Sequence, residues 1–190
     1  ENQGYIHYRK GSVIMYALKD YIGEAAVNQA LSDFLDETRY MGPPYPNSLM
    51  LLEHLRAATP DSLAYIIEDM FETISLYENR AVDATAEEQA EGSYLVELDL
   101  NLAKFRADSL GNESEIAIND LVDIAVFGED EDGEETTLYL AKHWVTSGEQ
   151  TIELRVDGVP VRAGIDPRYK LVDRNKDDNV VEVTVGGEGG

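Results

Sequence analysis

The 190-residue chain carries 38 acidic against 15 basic side chains, a formal net charge of -23, so a polyanionic partner would be repelled: nucleic-acid binding is excluded and docking on an anionic lipid surface is disfavoured. A hydrophobic fraction of 43% suffices for one large core or two modest ones. The absence of cysteine removes disulfides and thiolate metal ligands, and no apolar run approaches the roughly 20 residues that a membrane span needs, which excludes direct membrane insertion by this chain.

The chain starts Glu1-Asn2-Gln3 without an initiator methionine, and a helical pattern is under way soon afterwards, which predicts a piece cut from something longer. In Tyr8-Arg9-Lys10-Gly11-Ser12 a tyrosine stands just ahead of a helix running through Val13, Ile14, Ala17, Leu18, Tyr21 and Ile22. A phenol so placed can donate a short hydrogen bond to an oxyanion, provided that partners for the chemistry exist. After Gly23, Val27, Ala30, Leu31, Phe34 and Leu35 recur at helical spacing, outlining a helical hairpin. Met41-Gly42-Pro43-Pro44-Tyr45-Pro46 breaks the pattern, and Asn47 or Ser48 can cap a third, short helix through Leu49, Leu52 and Leu55. Thr59-Pro60-Asp61-Ser62 reads as a capped start for a fourth helix, whose Leu63, Ile66, Ile67, Met70, Phe71 and Ile74 form one apolar stripe.

Past roughly Tyr77 the period changes to alternation. Tyr94, Val96, Leu98, Leu100 and Leu102 alternate with Glu97, Asp99 and Asn101, the mark of a strand with one buried and one wet face. Further strands are expected over 121–127, 136–145, 151–156, 159–162 and 180–185, with turn residues between them. The expected fold class is α+β: a helical part of about four helices over 1–80, an antiparallel immunoglobulin-like β-sandwich over 81–186, and a flexible tail over 187–190.

Candidate metal ligands are sparse. His7, His54 and His143 are far apart, and no H-E-x-x-H places two imidazoles on one helix face. Ser12 and Ser48 lack the G-x-S-x-G setting of an activated nucleophile. Asp173, Asn175 and Asp177 match the first side-chain positions of a calcium loop, but Asp178 stands where glycine is needed and Thr184 where the closing glutamate belongs. The acidic run from Glu129 to Glu135 has charge without ligand register, and a solvated hairpin tip is the plainer reading of both stretches.

Ile6-His7-Tyr8-Arg9-Lys10-Gly11-Ser12-Val13-Ile14-Met15 resembles the Y-x-K-G-x-x-x-L segment of the gluzincin aminopeptidases, the family of aminopeptidase N and leukotriene hydrolase. The resemblance covers about the first 80 residues. Beyond them, Ser75-Leu76-Tyr77-Glu78-Asn79-Arg80, Gly148-Glu149-Gln150-Thr151 and Ala163-Gly164-Ile165-Asp166-Pro167 resemble a bacterial group in which an ABC-transporter permease carries a gluzincin peptidase domain at its C-terminus. In such a protein the segment lies downstream of the zinc motif. The resemblance implies that Tyr8 is the catalytic tyrosine that hydrogen-bonds the oxyanion, and that zinc belongs to the intact parent. It also implies that this chain, lacking H-E-x-x-H, is inactive alone. The implied partners are the upstream half of the catalytic domain, a peptide substrate and transporter subunits. The implied location is a soluble domain of a parent anchored in the bacterial cell membrane, on a side the sequence does not specify. The alternative is a non-catalytic binding or scaffolding module of a membrane transporter-associated protein.

Overall fold

The computed structural model describes residues 10–90 and 92–186. The chain divides into two compact units, Glu1–Ser75 and Leu76–Gly190, and its class is α+β, with helices first and an antiparallel-rich sandwich after them.

In the first unit, α1 (Gly11–Ile22) and α2 (Glu24–Thr38) are joined by Gly23 alone, whose φ of 90° lets one residue end a helix and open the next. Both helices are amphipathic, and Ala17, Leu18, Val27 and Ala30 are buried. Leu35, expected on the apolar face of α2, is 61% exposed. α3 (Ser48–Ala58) begins at Asn47, whose side chain accepts from the Leu49 and Met50 amides, so one side chain satisfies two otherwise orphaned donors.

The fourth helix departs from its regular pattern. A 3₁₀ turn over Asp61–Leu63, one α turn, α4 (Ala64–Ile67), and a π turn over Glu68–Glu72 replace it, and Ile74 starts a strand and is 48% exposed. Thr59 does not cap this element: its hydroxyl bonds back to the Leu55 carbonyl at 2.7 Å and closes α3. At the far end the Thr73 amide reaches the Glu68 carbonyl at 2.9 Å, and Ser75 donates to the buried Asp69 carboxylate at 2.9 Å. These polar contacts stop the helix where hydrophobic periodicity alone continues it.

The second unit holds two sheets. β1 (Ile74–Ala90), β2 (Ser93–Ala107), β3 (Glu113–Ile116), β6 (Gly148–Asp157) and β9 (Thr184–Gly186) make one; β4 (Asn119–Glu129), β5 (Glu135–Thr146), β7 (Arg162–Ile165) and β8 (Val180–Glu182) make the other. Val96, Leu98, Leu100 and Leu102 of β2 are at most 1% exposed, as are Val122, Ile124 and Val126 of β4. Each such side chain contributes about 1.5–3 kcal/mol of hydrophobic stabilisation.

Two strand expectations are corrected. Residues 159–161 are not extended ladder: Pro160 has no amide hydrogen to donate, and β7 starts only at Arg162. The run over 180–185 is two strands, because the chain crosses at Val183 from the sheet of β7 to the sheet of β1, where β9 pairs in parallel. Gly164 makes the β7–β8 approach possible. A Cβ there would lie 2.2 Å from the Asn179 carbonyl oxygen and 2.7 Å from Val180 Cα, both backbone atoms that cannot rotate away. Gly164→Ala is expected to cost about 1–3 kcal/mol in urea unfolding and to speed hydrogen exchange at the Ile165 amide, which donates to Asn179 at 2.9 Å.

Candidate functional site

Tyr8 and His7 lie outside the described residues. The other two histidines are engaged: His54 Nε2 lies 2.8 Å from Glu37 Oε2 and edge-on to Phe34, tying α3 to α2, while His143 Nε2 lies 2.7 Å from the Tyr139 hydroxyl on β5. Burial pushes the His143 imidazole below its ordinary value. Among the described residues no group of three or more His, Asp or Glu side chains is placed to hold a metal ion. The described residues therefore do not fit a zinc centre.

Two of the three calcium candidates line a groove of ≈ 330 Å³ together with Asn79, Arg80, Asn101 and Arg174. Asp173 is paired with Tyr77 in a parallel bridge, with the Tyr77 amide donating to Val172 and the Arg174 amide to Tyr77. Its carboxylate oxygens accept from the Asn79 and Asn175 amides, each at 3.0 Å, and Asn175 in turn accepts from the Asp177 amide at 3.4 Å. These oxygens build the loop and hold it against the edge of β1. Desolvation raises the Asp173 carboxyl above its ordinary value, against the lowering effect of the amides it accepts from. Asp177 is exposed and stands outside the groove lining. The acidic run over 129–135 closes the β4–β5 hairpin in the same manner, with Asp130 Oδ1 accepting from the Asp132 and Glu134 amides.

The groove is polar by construction. Asn79 is 2% exposed, and its Nδ2 rests against the Asp173 carboxylate without a well-formed hydrogen bond. Arg174 forms one wall: it pairs with Glu78 of β1 at 2.5 Å and with Glu113 of β3, and lies 4.7 Å above the Phe105 ring of β2. Asn179 is fully buried, and the orientation of its side-chain amide that satisfies its surroundings turns the nitrogen to donate to the Asn79 carbonyl at 2.8 Å and the Asn175 carbonyl at 3.2 Å. Such a site can offer hydrogen bonds and both signs of charge to a polar ligand.

Sequence reasoning missed two buried charge clusters. On the core face of β4, Asp120 Oδ2 accepts from Lys104 Nζ and from the Tyr77 hydroxyl, both at 2.8 Å, with the two charged side chains 4% and 7% exposed. On the other face, Asp123 Oδ1 accepts from Lys142 at 2.8 Å and Oδ2 from Lys170, beneath the turn after β7. That turn is set by Asp166 at a φ of 43°, whose two carboxylate oxygens accept the Lys170 and Leu171 amides at 2.9 Å each.

Burial pushes the Asp166 carboxyl from 3.8 up to about 6, outweighing the two amides that favour its charged form. The folded chain thus keeps a proton that the unfolded chain releases. This contribution to stability is complete below the ordinary value of 3.8 and is lost as pH rises through about 6. Urea midpoints across this window are expected to fall with pH relative to an Asp166→Asn variant, which lacks the titration; parallel profiles would refute the assignment.

No protein-family model matches the sequence, and no curated protein does.

Proposed function

We propose that this chain is the C-terminal portion of a zinc-dependent aminopeptidase of the gluzincin kind, belonging to the bacterial group fused to an ABC-transporter permease. The observation that carries the reading is the sequence Tyr8-Arg9-Lys10-Gly11, which leads into α1 at Gly11 and so into the α1–α2 hairpin. The helical unit followed by a sandwich supports it. In this reading Tyr8 contributes one phenolic donor to a peptide-hydrolysing site, while the metal ligands and general base come from the upstream half. The chain alone hydrolyses nothing, because its sequence holds no H-E-x-x-H. Tethering to the membrane belongs to the parent; among the described residues no helix is long and apolar enough to cross one.

The upstream sequence tests this directly. An H-E-x-x-H motif with a following glutamate ligand is expected, and its absence would overturn the catalytic reading. Chelator-sensitive aminopeptidase activity of the intact protein is the second expected result.

The groove at Asn79 favours one other reading, a binding or scaffolding module in a transporter-associated protein whose peptidase site is lost. An intact parent without aminopeptidase activity, with or without added zinc, is the outcome that selects it.

A further inference from the structure

We propose that Lys170 and Asp123 condense to an intramolecular amide, an isopeptide cross-link that the protein forms by itself beneath the turn following β7. Lys170 Nζ rests on Asp123 Oδ2, with the two side chains 2% and 5% exposed. Both partners are fixed. The Asp123 backbone is held within β4, opposite Lys142 of β5 on one side and with its carbonyl oxygen accepting the Asp166 amide at 2.8 Å on the other. Lys170 is held by its own amide on Asp166 Oδ1 at 2.9 Å. An amine and a carboxyl fixed in contact react at effective molarities of about 10⁵–10⁸ M, which offsets the reluctance of these groups to condense in water.

The atoms balance without a co-reactant. One proton passes from the Lys170 ammonium to Asp123 Oδ2, and the neutral Nζ attacks Cγ. The negative charge that develops on Oδ1 faces the Lys142 ammonium, 2.8 Å away. The Cγ–Oδ2 bond then breaks as Oδ2 takes a second proton from Nζ and leaves as water. The Nζ–Cγ amide remains, with Oδ1 as its carbonyl oxygen and Lys142 as its donor. One positive and one negative charge disappear from a dry site, and nothing is oxidised or reduced. The other buried pair lacks this arrangement: Lys104 and Tyr77 both donate to the same oxygen of Asp120. Asp166 acts as a positioning residue that sets the turn carrying Lys170.

The test is the intact mass of the full chain under denaturing conditions. The expected value is lower than the sequence sum by one water, and proteolysis is expected to yield one branched peptide joining the segments around Asp123 and Lys170, with no tryptic cleavage after Lys170. Lys170→Arg keeps the positive charge but not the primary amine, and is expected to restore the full mass in a folded protein. A wild-type mass equal to the sequence sum overturns the proposal. So does a water loss that maps to a linear peptide, as a succinimide at Asp132-Gly133 or Asp157-Gly158 would, or to Lys104 and Asp120. The wild-type measurement decides the matter even if the variant fails to fold.

Discussion

Lys104→Met is expected to destabilise the second unit by about 3–5 kcal/mol, the cost of leaving a buried carboxylate without its cation. Lys104 and Asp120 are almost completely enclosed, and their 2.8 Å contact joins β2 of one sheet to β4 of the other. The Tyr77 hydroxyl on the same oxygen can stay, but a neutral donor does not neutralise the charge. Methionine fills much of the lysine volume, so the loss reports electrostatics rather than a cavity. Removing both charges in Lys104→Met/Asp120→Leu is expected to cost clearly less than Lys104→Met alone, the remainder coming from the Tyr77 hydroxyl left without its acceptor. Urea unfolding of the three proteins provides the comparison. A double variant as unstable as the single one would show that shape rather than charge pairing matters here.

Tyr8→Phe in the intact parent is expected to lower turnover by about 10²–10³-fold, equivalent to about 2.7–4 kcal/mol, with much less effect on substrate affinity. The substitution deletes one hydroxyl and preserves the ring, so only the donor to the oxyanion is lost. An interaction made only in the transition state appears in kcat and kcat/KM together. Unchanged turnover would remove the catalytic assignment of Tyr8, and an equal rise in KM alone would recast it as a substrate-binding residue.

Several parts of the fold were legible in the sequence because local physics determines them. The α1–α2 hairpin follows from apolar spacing and a glycine stop, the start of α3 from Asn47, and β2 from strict alternation between Tyr94 and Leu102. β1 was not legible, although it is the longest described strand at 17 residues. Its buried positions include Ala81, Ala84 and Ala86, whose small side chains carry little hydropathy signal, and Asn79, which reads as a surface residue. The buried charges were hidden for a related reason. Pattern reasoning assigns Lys104, Asp120, Asp123 and Lys170 to solvent, and only tertiary pairing makes their burial tolerable.

By itself the sequence determined the α+β class, the order of helices before strands, the net charge of -23, and the Tyr8 segment on which the proposed function rests. Each depends on composition or on residues a few positions apart. The groove needed tertiary structure, since it brings Asn79 and Asp173 together across 94 positions of chain. The Asp123–Lys170 contact, spanning 47, needed it equally. Neither has a local signal, because the energy that stabilises each comes from desolvation and pairing that exist only once the strands are in register.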